Sequence, residues 1–119
     1  MLTKIAPHIY RKRLLIEGFF TTECTEKELT DFFPTLTSGL SLKTYGAPIV
    51  HSTSGVGKDE NQGYDAFVPL IDSGIYISVW LKYRFLSMVL YTCKDFDDAM
   101  AVEITKDFFA MSEMESAAF

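Results

Sequence analysis

Two cysteines, two histidines and one Asp-Ser-Gly step are the residues of this 119-residue chain whose types and spacing bear on chemistry. Cys24 and Cys93 form no Cys-x-x-Cys pair and fall in different kinds of segment. They therefore read as reduced thiols rather than as a disulfide or a metal clip. His8 and His51 are far apart and fit neither a His-x-x-x-His nor a His-Glu-x-x-His spacing, so no metal site is expected. Asp72-Ser73-Gly74 lies between two β-rich runs. Taken alone it is a hairpin turn, because Asp and Ser offer local hydrogen bonds and Gly tolerates positive φ.

Composition narrows the partners. Sixteen acidic against eleven basic residues give a net charge of −5, and phosphate binding needs clustered Lys and Arg. The basic cluster Arg11-Lys12-Arg13 reads as the solvated start of a strand, so no nucleic-acid partner is expected. Hydrophobic residues make up 48% of the chain, with ten Phe and six Tyr, which is ample core material and excludes a disordered chain. No apolar run approaches the roughly 20 residues that span a bilayer. Residues 1–7 lack the apolar stretch of a signal peptide. The expectation is one domain over residues 1–119, cytoplasmic and without a membrane partner.

The elements that must position these residues follow from periodicity. Residues 9–20 are rich in β-formers and read as a strand, with Leu14 and Ile16 on one face. Thr25 and Glu28 form a capping box, and Leu29, Phe32, Phe33 and Leu36 then lay one apolar stripe along a helix. Pro34 lies inside that stripe and predicts an end or kink near Phe33. Residues 40–45 and 48–53 read as two short strands around Gly46, and the glycine-rich residues 54–63 as a loop. Residues 67–71, 75–80 and 86–92 read as strands. Asp95 is placed as the cap of a closing helix from residue 96 to about 111. The order β, α, several β, α predicts an α+β fold: a two-layer α/β sandwich with a mostly antiparallel sheet and both helices on one face.

The run Asp72-Ser73-Gly74-Ile75-Tyr76-Ile77-Ser78-Val79-Trp80, followed by Tyr91-Thr92-Cys93, resembles the signature of the short bacterial and archaeal S-adenosylmethionine decarboxylase proenzymes. The family pattern is roughly Glu-Ser-His-x-x-x-His-Thr-Trp-Pro-Glu, then a strand ending in Phe-Thr-Cys, then an acidic turn and a helix. The chain agrees at Ser73, Trp80, Tyr83, Thr92 and Cys93, and upstream at Ala47-Pro48-Ile49-Val50-His51-Ser52-Thr53, so the likeness runs from about residue 9 to 109. It implies a two-layer sandwich that pairs as a homodimer, or as a heterodimer with a related chain. It also implies a pyruvoyl cofactor made from Ser73 when the chain cuts itself between Asp72 and Ser73. That ketone would capture a small-molecule amine-bearing substrate and serve as its electron sink, with Cys93 as proton donor.

Several family positions are altered. Ser78 stands where the family has its processing histidine, and a hydroxyl is a poor base near neutral pH. Asp65 stands for a second processing serine and Gly74 for the histidine after the nucleophile. Leu81-Lys82 replaces Pro-Glu, and a lysine cannot accept the ribose hydrogen bonds of that glutamate. Asp72 replaces glutamate before the cut. His51 is the candidate substitute base, brought near Ser73 by the neighbouring strand. Three readings stand: a pyruvoyl-dependent S-adenosylmethionine decarboxylase serving spermidine and polyamine synthesis; a non-processing paralogue acting as a binding or regulatory dimer partner; and a pyruvoyl decarboxylase of a smaller amino acid.

Overall fold

The structure is a computed structural model and describes residues 4–119; residues 1–3, part of the segment read for a targeting signal, lie outside them. The elements run β1 (Lys12–Phe19), α1 (Glu26–Gly39), β2 (Ile49–Ser52), a 3-10 turn (Asp59–Asn61), β3 (Gly63–Leu70), β4 (Ser73–Trp80), β5 (Phe85–Thr92), α2 (Asp98–Phe109) and β6 (Glu113–Ala118). Among the described residues the six strands form one sheet in the order β2-β3-β4-β5-β1-β6, antiparallel at every pairing. This is the predicted α+β sandwich.

Alternation along the strands sends one face inward. Leu14 and Ile16, Val68 and Leu70, Ile75 and Ile77, and Met88 and Leu90 are buried. They join a single core with Leu29, Phe32, Phe33 and Leu36 of α1 and with Ala101 and Phe109 of α2. Each such side chain contributes roughly 1.5–3 kcal/mol by leaving water. The residues between them, such as Phe67, Tyr76 and Tyr91, lie on the face that the helices leave uncovered, and they remain about two-fifths exposed.

Three expectations fail for identifiable reasons, and one element was not foreseen. Helix α1 does not stop near Phe33 but continues through Pro34 to Gly39. Pro34 is exposed, while Leu36 and Leu40 beyond it are buried; their burial offsets the roughly 3 kcal/mol that an interior proline costs. Residues 40–45 form no strand. Ser41 at φ 57° turns the chain, and in place of a ladder one isolated bridge, Thr44 to Leu70, joins the segment to the sheet through the backbone of residues 43 and 45. Asp97, not Asp95, caps α2 by accepting from the Met100 amide at 3.0 Å. Asp95 instead accepts from Lys12 Nζ at 2.8 Å and from the Tyr10 hydroxyl at 3.1 Å. Strand β6 was not foreseen, because Glu-Met-Glu-Ser-Ala-Ala carries little β-propensity and forms a largely exposed edge.

Candidate active site

The Asp72-Ser73 step sits where β3 turns into β4. Leu70 pairs with Ser73 in the ladder, which leaves Ile71 and Asp72 as the two turn residues. Asp72 is in the left-handed region at φ 64°. On the other side Ser73 pairs with Thr92, the last residue of β5, so the chain places Cys93 directly beside the turn. The Cys93 N–H donates to the Asp72 carbonyl at 2.8 Å. The structure thus brings Ser73 and Cys93 together, 20 residues apart in sequence, at one end of the sheet.

Both residues line a cavity of about 390 Å³. Its walls are mostly apolar, supplied by Phe67, Tyr76, Val89 and Tyr91. Gly74 forms its floor, and a Cβ there would lie 3.1 Å from the Phe67 ring. A histidine at this position would require the ring to move. The aromatic walls escaped sequence reasoning, although alternation from Gly74 through Tyr76 put them on the uncovered face. Ser73 itself follows the phase of Ile75 and Ile77, and its hydroxyl is buried with no hydrogen-bond partner among the described residues.

The two thiols differ sharply. Cys24 is buried, and burial, helped by nearby Glu28 and opposed by Arg84, pushes its thiol up to about 12. Cys93 is exposed. Since the thiolate is the reactive form, iodoacetamide at pH 8 is expected to label Cys93 and leave Cys24 untouched until the fold is denatured. Peptide mapping of the folded, alkylated protein reads this directly, and labelling of Cys24 at a rate equal to Cys93 would contradict the packing.

The altered positions Asp65 and Ser78 also meet, but elsewhere. They are cross-strand partners on β3 and β4. Asp65 Oδ1 accepts from Ser78 Oγ at 3.2 Å and from the Tyr76 hydroxyl at 3.1 Å. His51 stands opposite Asp65 on β2. With Lys58, Asn61 and Trp80, the residues His51, Asp65 and Ser78 line a second cavity of about 510 Å³ beneath the glycine-rich loop. Asn61 is held there by the Trp80 indole N–H at 2.7 Å.

The structure does not bring His51 to Ser73. His51 shares a row with Ser78, five residues along β4 from Ser73, which at about 3.3 Å per residue is some 17 Å away. Lys82 is more distant still. It lies exposed in the β4–β5 turn, over the Tyr83 ring at 5.6 Å.

Across the uncovered face, His51, Asp65, Ser78, Ser87 and Glu17 form one polar row over five strands. The Ser87 hydroxyl donates to Glu17 at 2.9 Å. Aromatic rows flank it: Phe67 and Tyr76 on one side, Trp80, Phe85 and Phe19 on the other.

No family model matches the chain, and no curated protein matches it either. Among solved structures, the chain is similar to the crystal structure of the adenosylmethionine decarboxylase of Aquifex aeolicus. The TM-score is 0.73, with 11% sequence identity over 93% of this chain and 89% of that one. The two chains share one fold over most of their length.

Proposed function

We propose that the chain is a self-processing, pyruvoyl-dependent decarboxylase related to the adenosylmethionine decarboxylases. One observation carries this reading. Ser73 keeps a buried, unpartnered hydroxyl directly after a left-handed residue whose carbonyl already accepts the Cys93 amide at 2.8 Å. When the Ser73 oxygen adds to the Asp72 carbonyl carbon, negative charge develops on that carbonyl oxygen. The Cys93 N–H stands where an oxyanion donor is needed, and one such donor is worth about 10²–10³ in rate. The C–O bond forms, the C–N bond breaks, and the freed nitrogen takes the proton from the hydroxyl. Elimination then severs the ester, leaving Asp72 as a carboxylate terminus and a dehydroalanine at position 73, which tautomerises to an imine and takes up water to release ammonia and leave the ketone.

The surroundings fit a ketone at position 73. Among the described residues no lysine or arginine lines the cavity, so no neighbouring side-chain amine would consume it. Such a group supplies an electron sink for the loss of carbon dioxide from an amine-bearing acid. Phe67, Tyr76 and Tyr91 give the cavity apolar walls, which favour a reaction that disperses charge. Cys93 is exposed and lines the same cavity, and this reading casts it as the proton donor to the reacting carbon. The fold likeness favours S-adenosylmethionine as substrate and polyamine synthesis as destination. A smaller amino acid is the alternative for the same cavity.

The intact mass of the purified protein after long incubation tests the reading. Fragments 1–72 and 73–119 are expected, the second lighter by one ammonia than a serine-ended chain. A single chain near 13.5 kDa would overturn it.

A second reading, a non-processing dimer partner, draws on the distance of His51 from Ser73. Both readings assign the uncovered sheet face to a copy of this chain or a related one, because Phe19, Phe67, Tyr76 and Tyr91 stand exposed there. Stable interfaces bury about 800 Å² per partner. Light scattering at micromolar concentration is expected to give twice the 13.5 kDa chain mass, and a monomer mass would count against this assignment.

A further inference from the structure

The turn that carries the proposed cut holds a non-glycine residue at positive φ, a region that even aspartate enters at some cost relative to glycine. Of the two turn residues only Asp72 has positive φ, 64°. Positive φ at the second central position alone is the type II pattern, which calls for glycine there. Two-residue hairpins ordinarily take primed turns, whose twist matches the strands. A non-glycine residue persists in such a state where its surroundings over-determine it.

The surroundings here are visible. The Ile71 N–H donates to the Lys43 carbonyl at 2.9 Å, and the Tyr45 N–H to the Pro69 carbonyl at 3.1 Å, so residues 43–45 grip the β3 side of the turn. The Cys93 N–H grips it from the opposite strand at 2.8 Å. The gripping segment is itself tied down. The Leu42 N–H donates to the Thr37 carbonyl at 2.9 Å, and Lys94 Nζ to the Ser41 carbonyl at 3.1 Å. Leu40 and Leu42 are buried in the core. This explains why residues 40–45 are ordered against the sheet although they form no strand.

We infer that residues 41–45 and the Cys93 amide act as a brace that holds the Asp72-Ser73 peptide strained, and that Asp72 is a positioning residue for self-cleavage. This rests on the processing reading above. The strain at Asp72 is released only when the Asp72-Ser73 bond is broken, since residue 72 then becomes a free terminus. The brace keeps the turn from relaxing by any other route. It also holds the attacked carbonyl on its oxyanion donor. No outside reactant is needed for the acyl shift.

Three variants test it, each followed by the rate of fragment appearance and by melting temperature. Asp72→Gly keeps the turn but removes its strain. It is expected to hold or raise the melting temperature while slowing cleavage about tenfold, the factor that 1.4 kcal/mol represents. Ile71→Pro suits the first central position of a type II turn yet deletes the N–H given to Lys43; it is expected to slow cleavage similarly with the fold intact. Asp72→Asn keeps a side chain of the same size in the left-handed region and is expected to cleave at the wild-type rate, which a carboxylate-dependent role would not predict. Wild-type rates in both Asp72→Gly and Ile71→Pro would overturn the brace and leave self-cleavage standing. A wild-type chain that stays whole would overturn self-cleavage and the brace with it.

Discussion

Ser73→Ala is expected to remain one chain, residues 1–119, under conditions in which the wild type separates into 1–72 and 73–119. The effect is all or none, because the substitution removes the only atom that can form the ester. It is also a clean test. The Ser73 hydroxyl has no hydrogen-bond partner among the described residues, so its loss orphans nothing. A buried hydroxyl left unpaired costs about 1–3 kcal/mol, and the alanine variant is therefore expected to melt at the wild-type temperature or slightly above it. Alanine suits the position sterically, since residue 73 begins a strand. A folded Ser73→Ala protein that still yields both fragments would assign the break to ordinary proteolysis at an exposed turn. A whole variant beside a cut wild type would fix the nucleophile. The melting temperature separates either result from misfolding.

The parts of this molecule that were legible in its sequence are those in which one local pattern agrees with the tertiary demand. The stripe Leu29, Phe32, Phe33 and Leu36 gave a helix, and all four side chains are buried. The alternation in β4 and β5 gave strands whose inward residues are the core. Pro34 misled because local cost was weighed without the burial of Leu36 and Leu40 that lay beyond it. Residues 40–45 misled in the opposite sense: their composition resembles a strand, but their role is to cross the end of the sheet. Asp95 and Asp97 are both plausible caps two residues apart, and only the position of Lys12, from the far end of the chain, separates them.

The site was legible unevenly for a similar reason. Ser73 and Cys93 came from the resemblance, and the β4–β5 register places them side by side at one end of the sheet. The pairing of Asp65 with Ser78 follows from the β3–β4 register, which no single strand reveals. His51 was placed near Ser73 on the ground that a neighbouring strand carries it. It does lie close to the β4 partner strand, but a strand has length as well as neighbours, and the register sets His51 at the level of Ser78. Of the backbone features that bear most on the proposed cut, the left-handed Asp72 leaves a faint mark, since Asp is a turn former, and the three amide grips leave none in side-chain identity.

Phe32→Ala is expected to produce the largest loss of stability, and to do so without touching the proposed chemistry. The Phe32 side chain is fully buried between the helices. Its ring lies 4.7 Å from that of Phe109, 5.2 Å from Phe108 and 6.1 Å from Phe33. Removing a ring from such a site costs about 3–5 kcal/mol, for the lost burial and for the cavity left behind. Aromatic pairing adds to this. Against a total stability of roughly 5–15 kcal/mol, a large share of the fold's margin would go. The melting temperature is expected to fall by on the order of 10–20 °C. The ring belongs to the helix layer, whereas the Asp72-Ser73 turn is fixed by backbone bonds to residues 43 and 93 at the sheet's end. At a temperature where the variant is still folded, its fragments are therefore expected at the wild-type rate. Cleavage that fails in a folded Phe32→Ala protein would mean that the brace is tensioned through the helices, by way of α1 and the Leu40 and Leu42 side chains at its end. The strain at Asp72 would then be a property of the whole sandwich rather than of the turn and its two neighbours.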